Sequence, residues 1–184
     1  MSAKYDLFVR CKRGDANAQR ILYDLFKSKL MGLCRRYTKN REEAQDVLQE
    51  SFIRIFSRIT QVEAPDKLES WMKAIAVRTA ITHYHRGKAR ELVFPENAHA
   101  NAETPQPVID NLTDEYLISL VNELPDGCRM VFNLFAVEGY SHKEIAELLH
   151  VTEGTSRSQL YHAKLLLKEK LKCHSLAHYY EKFA

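Results

Sequence analysis

The sequence predicts an all-α protein made of two small helical bundles joined by a flexible linker. Apolar residues recur at helical spacing in both parts of the 184-residue chain, without strand-like alternation of apolar and polar residues. The periodicity is lost around Pro95, Pro105 and Pro107, where prolines among Asn, Ala, Glu and Thr are typical of a linker. We expect a first domain over 1–90, a linker over 91–112, a second domain over 113–175 and a tail over 176–184.

Two helices are predicted at the start of the first domain. The first runs from about Tyr5 to Lys12 and ends at Gly14, because glycine adopts the left-handed conformation that stops a helix. Asp15 can cap the second helix, which covers roughly 16–37. The apolar residues of the second helix that we expect to face inward are Ile21, Leu22, Leu25, Leu30 and Leu33.

Two longer helices complete the first domain. Asn40 can cap a third helix over roughly 41–58, and a fourth begins after Asp66 and runs to about Arg86. The fourth is apolar nearly all round, so we expect it to form the centre of its bundle. The inward stripe of the third helix comprises Ala44, Leu48, Ser51, Phe52 and Ile55.

The second domain contains a pattern typical of a helix-turn-helix. Gly139 fits the stop after one helix, Ser141 and Glu144 form a capping box for the next, and Thr152 can cap the last. Such a turn presents its second helix to a DNA groove. Upstream helices are expected from about Asp114 and over 126–137, with a break at Leu124-Pro125.

The last helix, from about Thr155 to Leu171, has three distinct faces. Five basic residues and one acid, Glu169, lie between positions 154 and 172, and this excess favours DNA binding over a helical hairpin that contacts nothing. The apolar face comprises Leu160, Ala163, Leu167 and Leu171. The polar face, suited to base edges, comprises Thr155, Ser158, Gln159 and His162. The basic stripe, suited to phosphates, comprises Arg157, Tyr161, Lys164, Lys168 and Lys172.

Charge distribution marks the first domain as another candidate for nucleic acid contact. Residues 1–86 hold 17 Lys and Arg against 10 Asp and Glu, although the whole chain carries only +3. The second half of the fourth helix mixes basic residues with Tyr84, a combination suited to capturing a separated strand. Trp71, earlier in that helix, is equally well explained as a core residue.

Composition argues against several other classes of protein. The four cysteines are scattered without a C-x-x-C pair, which argues against a disulfide framework. Cys173, His174 and His178 fall short of the four ligands of a structural zinc site, so we expect no metal and no cofactor. We also expect a cytoplasmic protein that does not insert into a membrane, since the sequence contains no signal peptide and no long apolar run.

The outward face of the third helix leaves three interpretations open. Asp46 and Glu50, one turn apart, could form a metal or acid–base pair, but no histidine or third carboxylate joins them at ligand spacing. The same face could be simply solvated. Ile53 is apolar among charged neighbours, which favours a protein-docking surface.

Taken in order, these motifs resemble a bacterial RNA polymerase sigma factor of the extracytoplasmic-function group, which keeps only the second and fourth conserved regions. The resemblance covers most of the chain outside the linker and the last ten residues. The segments that carry it are 15–18, 40–52, 71–76, 124–125 and 138–167.

The resemblance implies an alternative sigma factor that binds core RNA polymerase, directs promoter-specific initiation and performs no catalysis. Its expected partners are the clamp helices of the largest subunit, the flap, promoter DNA and an anti-sigma factor. Polymerase docking would involve Asp46, Gln49, Glu50, Phe52 and Ile53. Minus-ten recognition would involve Arg58, Trp71, Arg78, Thr79, Thr82, His83 and Arg86. Minus-thirty-five recognition would involve Thr155, Arg157, Ser158, Gln159, His162 and Lys164.

Several positions depart from the family pattern. Thr79 stands where asparagine is usual and His83 where aspartate is common, while Gln159 and His162 replace frequent arginines. The first two departures bear on the exact minus-ten contacts, and Gln159 and His162 imply an altered promoter preference. Ser156 replaces an aliphatic residue, which implies a looser base for the last helix.

Two rival functions make different predictions. A stand-alone helix-turn-helix regulator with an N-terminal sensing bundle would bind duplex promoter DNA tightly without polymerase. A metal-dependent nucleic acid enzyme built on Asp46 and Glu50 would show metal-stimulated cleavage or nucleotide turnover.

Overall fold

The computed structural model is helical throughout, apart from turns and short loops, over the residues that it describes, 3–93 and 114–183, with side chains described for 5–90 and 116–172. The chain separates into two compact units, Met1–Phe94 and Pro95–Ala184. The predicted linker falls mostly outside the described residues. The helices are α1 (Ala3–Lys12), α2 (Ala16–Tyr37), α3 (Arg41–Arg58), α4 (Leu68–Val93), α5 (Asp114–Asn122), α6 (Asp126–Phe132), α7 (His142–Leu149) and α8 (Glu153–Phe183).

The turn between α1 and α2 forms as predicted. Gly14 adopts a φ of 79°, and the Asp15 carboxylate accepts hydrogen bonds from the Asn17 and Ala18 amides at 2.9 and 3.1 Å. The bond from the Ala18 amide and that from Arg10 Nε lower the pKa of Asp15. This cap fixes where α2 begins.

The core of the first unit lies between α2, α3 and α4. Met72, Ala76 and Ala80 are buried on α4, which packs against α2 and α3 and shares the core with them. The expectation that Ile21 and Leu25 face inward is wrong, because they are 46% and 61% exposed. The stripe of α2 that enters the core instead comprises Ala18, Leu22, Leu30, Leu33, Cys34 and Tyr37.

The second unit is built around α6 and α8, and the side chain of Arg129, in α6, reaches back to the turn between α5 and α6. Its buried guanidinium donates to the carbonyls of Asn122 and Leu124 and pairs with Asp126 at 2.8 Å. These bonds satisfy backbone carbonyls beside Pro125, where a helix cannot continue. The predicted break at Leu124-Pro125 is therefore confirmed.

The helix-turn-helix comprises α7, a tight turn and α8. A π-type turn over Asn133–Val137 ends the α6 segment, and Gly139 follows with a φ of 81°. Ser141 and Glu144 form the predicted capping box, and Thr152 caps α8 by accepting the Thr155 amide at 3.0 Å. The bend is made by a left-handed residue, His150, with a φ of 54°.

The last helix is longer than the sequence predicts. It continues to Phe183, so the described part of the segment that we expected to be a tail is helical. The residues after Gly154 include neither glycine nor proline, so nothing in the sequence stops the helix.

Candidate functional site

The outward face of α3 exposes three of the five residues predicted to dock on polymerase. Asp46 and Gln49 are exposed, and Ile53 is 69% exposed. Glu50 is half-buried beside them. We call Asp46, Gln49, Glu50 and Ile53 the docking patch.

The fifth predicted docking residue, Phe52, faces the opposite side of α3. It is only 4% exposed, and its ring packs on Tyr23 with centroids 4.6 Å apart. The prediction that Phe52 contacts polymerase is therefore wrong, because its side chain is core. Helical periodicity had placed it correctly on the inward stripe.

The carboxylate of Glu50 is held by two arginines. Arg54 Nη2 donates to Oε1 at 2.6 Å, and Arg86 Nη1 lies 3.1 Å from Oε2. A carboxylate that already pairs with two guanidinium groups has little negative charge left to bind a metal cation. Among the described residues, no three His, Cys, Asp or Glu side chains are grouped to hold a metal ion.

The basic half of α4 presents most, but not all, of the predicted minus-ten residues. Arg78 and Arg86 are exposed, while Thr82 and His83 are half-buried. Thr79 is 0% exposed and donates its hydroxyl to the Ile75 carbonyl at 2.8 Å. The prediction that Thr79 contacts DNA is therefore wrong, since a buried hydroxyl bonded to its own helix cannot reach a base.

The segment between α3 and α4 is anchored from α1. Arg58 is exposed at the end of α3, and a 3₁₀ turn, Ile59–Gln61, follows it. Lys12 Nζ then donates to the carbonyl of Val62, whose side chain is buried, at 2.8 Å. Trp71 is half-buried in the first turns of α4.

The exposed face of α8 carries most of the predicted minus-thirty-five residues. Arg157, Ser158, His162 and Lys164 are exposed, and Thr155 is half-buried. In addition, Tyr161 is 66% exposed and meets the His162 ring edge-on. The sequence had assigned Tyr161 to the phosphate stripe only, whereas its exposed ring also suits contact with a base or a thymine methyl.

Gln159 lies between the exposed face of α8 and α6. Its side chain is half-buried, and a Cβ built on Gly127 would lie 2.5 Å from its Nε2 atom. The amide of Gln159 therefore lies over the backbone of Gly127, in the first turn of α6. A glycine at this helical position was the sequence signal for such a close approach.

The base of α8 is fixed by a contact that sequence reasoning missed. Ser156 is completely buried, and its Oγ lies 2.9 Å from Nδ1 of His142. The His142 ring stacks on Phe135 at 4.6 Å, and the Lys164 ammonium lies 6.0 Å from the Phe135 centroid. The expectation that Ser156 loosens the helix overlooked this hydrogen bond, which links α7 to α8.

Two protein-family models match the chain, one in each unit. The model "Sigma-70 region 2" matches residues 22–90, and "Sigma-70, region 4" matches residues 114–167, together more than half of the chain. The chain belongs to the extracytoplasmic-function group of sigma factors. It is an alternative sigma factor that directs transcription initiation, and its partners are core RNA polymerase and promoter DNA. Sigma factors are non-catalytic initiation factors.

Curated relatives span nearly the same length as this sigma factor. The RNA polymerase sigma-H factor of Pseudomonas aeruginosa is 29% identical and covers 90% of this chain and 92% of its own. The ECF sigma-E factor of Haemophilus influenzae is 27% identical, covering 90% and 93%. The ECF sigma factor SigW of Bacillus subtilis is 29% identical, covering 88% and 92%.

A solved structure supports the fold. The sigma factor RpoE of Bartonella quintana, in complex with the anti-sigma factor NepR, matches with a TM-score of 0.55 and 19% identity. The match covers 83% of this chain and 96% of that one. Within the described part of this sigma factor, no helix is long and apolar enough to cross a membrane.

Proposed function

We propose that this sigma factor docks on the clamp helices of the largest polymerase subunit through the docking patch. The observation that carries the proposal is an exposed isoleucine, Ile53, set among Asp46, Gln49 and Glu50 on one helix face. An apolar anchor surrounded by polar groups is typical of a protein interface, and the Asp46 carboxylate, which makes no ion pair among the described side chains, favours a basic partner group. In this assignment residues 1–90 form region 2, and 113–175 form region 4, which also contacts the flap.

The basic half of α4 is proposed to recognise and open the minus-ten element. Arg78, Arg86 and Arg58 would contact phosphates, while Trp71 and His83 would stack on extruded bases, with Thr82 beside them. Extruding a base costs about a few kcal/mol of stacking, so the open strand must be captured as it forms. Docking on polymerase would position α4 for this capture.

The exposed face of α8 is proposed to read the minus-thirty-five element in the major groove. Ser158, His162 and Tyr161 would contact base edges, and each good contact contributes roughly 1–3 kcal/mol of discrimination. Arg157 and Lys164 would hold the phosphates. Thr155 completes this face, and Gln159 would act mainly by positioning α8 against α6.

This division of labour needs neither catalytic residues nor a cofactor. We therefore propose that the sigma factor is not an enzyme and that it acts in the cytoplasm with the polymerase. The Bartonella quintana relative was solved with an anti-sigma factor, and we propose that an anti-sigma factor also controls this chain.

Co-purification with core polymerase tests the docking assignment. Glu50→Lys reverses a charge within the docking patch and should abolish association while leaving the helical content unchanged. Glu63→Lys is the matched control, since Glu63 is an exposed acid of the same unit outside the patch. Equal co-purification of the two variants would refute the assignment.

Duplex binding without polymerase distinguishes the stand-alone regulator. We expect the isolated chain to bind its promoter duplex weakly, because each DNA surface lies on a separate small unit. Tight, sequence-specific duplex binding by the isolated chain would favour the regulator instead.

A further inference from the structure

Glu50 and Arg86 form an ion pair between α3 and α4, across 36 residues of sequence. Arg86 Nη1 lies 3.1 Å from Oε2 and 3.4 Å from Oε1 of Glu50, while Arg54 holds Oε1 from the same helix. The Glu50 side chain is 29% exposed and that of Arg86 is 56% exposed. The pair is therefore formed in the isolated unit and is still accessible to a partner.

The two members of this pair belong to different proposed surfaces. Glu50 lies in the docking patch, and Arg86 lies on the minus-ten surface of α4. A guanidinium that donates to a carboxylate has fewer donors and less net positive charge to offer a phosphate. Any group that competes for Glu50 therefore changes what Arg86 can bind.

We propose that Glu50 restrains Arg86 in the free sigma factor, and that core polymerase releases Arg86 for DNA by supplying its own basic side chain to Glu50. This inference rests on the proposed function. Asp46, one turn before Glu50 and without an ion pair among the described side chains, favours a basic polymerase group beside Glu50. A cation that reaches Glu50 competes with Arg86 for its oxygens and repels the Arg86 guanidinium. The exchange makes DNA capture by α4 conditional on docking.

Two other arginines of the DNA surfaces lack this link. Arg78 is exposed on α4 and makes no ion pair among the side chains that the structure describes. Arg157 pairs at 2.6 Å with Glu153, a residue of the same helix and not of the docking patch. Polymerase docking should therefore change the contribution of Arg86 to DNA binding without changing that of Arg78.

The size of the effect follows from the nature of the pair. An exposed ion pair changes an equilibrium constant by up to about fivefold. By linkage, polymerase must strengthen DNA binding through Arg86 by the same factor by which DNA strengthens docking. We expect a factor of about two to five.

The restraint is tested on the free, full-length chain. The probe is a fluorescein-labelled single-stranded DNA of mixed sequence and about sixteen nucleotides, followed by anisotropy at low salt. Glu50→Gln should bind it about two to five times more tightly than wild type. Asp46→Asn is the matched control, because it removes the same charge one turn earlier from a residue with no ion pair among the described side chains. The gain in DNA affinity should disappear in the double variant Glu50→Gln/Arg86→Gln, because the released guanidinium is then absent.

The release is tested by repeating the DNA titration with chains that keep Glu50, first alone and then with saturating core polymerase. Arg86→Gln should weaken DNA binding by less than about twofold in the free chain and by about threefold or more in the holoenzyme. Arg78→Gln should cost the same factor in both states. Circular dichroism of each variant checks that the helical content is unchanged.

The results that would overturn the inference are specific. The inference is refuted if Asp46→Asn raises DNA affinity as much as Glu50→Gln does, or if the gain in affinity persists without Arg86. It is also refuted if Arg86→Gln weakens DNA binding by the same factor in the free chain and in the holoenzyme. If wild-type chain does not bind core polymerase at all, the proposed function fails as well. If it binds normally and only the Arg86 arms disagree, this inference alone fails.

Discussion

The buried contact between Ser156 and His142 allows a quantitative prediction about the recognition helix. Ser156→Ala removes a hydroxyl that lies 2.9 Å from His142 Nδ1 and leaves the imidazole facing a methyl group. The lost hydrogen bond costs about 1 kcal/mol, and leaving a buried partner unsatisfied raises the cost to about 3 kcal/mol. Because His142 is half-buried, water can reach part of the ring, so we expect a loss of about 1–2 kcal/mol in unfolding free energy.

Urea unfolding of the full chain measures this loss. Far-UV circular dichroism reports both units, whereas the fluorescence of Trp71, the single tryptophan, reports the first unit. Ser156→Ala should lower the midpoint of the dichroism transition assigned to the second unit and leave the fluorescence transition in place. Ser158→Ala, which removes an exposed serine hydroxyl from the same helix, should cost less than about 0.5 kcal/mol.

A double-mutant cycle decides whether the hydrogen bond is the cause. In the His142→Phe background the partner nitrogen is absent, so Ser156→Ala should become nearly neutral. Equal losses in both backgrounds would show that Ser156 acts through packing alone. An unchanged urea midpoint for Ser156→Ala would show that the hydrogen bond to His142 does not stabilise the second unit.

Three further changes probe other parts of the fold. Gly139→Ala, at a φ of 81°, should cost about 1–2 kcal/mol in the second unit, and an unchanged urea midpoint would contradict the left-handed stop. Burial raises the pKa of the Cys34 thiol to about 12. Iodoacetamide should therefore label Cys34 far more slowly than a free thiol at neutral pH until urea unfolds the chain, and fast labelling of the native chain would contradict this. Backbone hydrogen bonds lower the pKa of Asp15 and of Glu144, whose contributions to stability are therefore complete above pH ~5 and lost as the pH falls through their native pKa values. Asp15→Asn should flatten the fall in unfolding free energy below about pH 4, and an identical profile would argue against that cap.

The parts of the fold that depend on neighbouring residues could be predicted from the sequence. Asp15 caps α2, Asn40 caps α3 and Ser141 caps α7, because each interaction spans about one helical turn. The inward stripe of α3, including Phe52, was also correct. The inward positions of α2 were partly wrong, because a helix with apolar residues on two faces does not reveal which face its partners cover.

The parts of the site that depend on distant residues could not be predicted. Glu50 meets Arg86 across 36 positions, and Ser156 meets His142 across 14 positions. Neither pair has a periodic signature, since the approach of the two helices decides the contact. Thr79 was misplaced because its role was carried over from a family motif, although its neighbours on α4 predicted burial.

The most direct test of the central claim is run-off transcription by purified core polymerase on genomic fragments. We predict that adding the full chain produces transcripts with defined start sites, that Glu50→Lys abolishes them, and that Glu63→Lys does not. Transcripts that are absent with wild-type chain, or that are equally abundant with Glu50→Lys, would contradict the account.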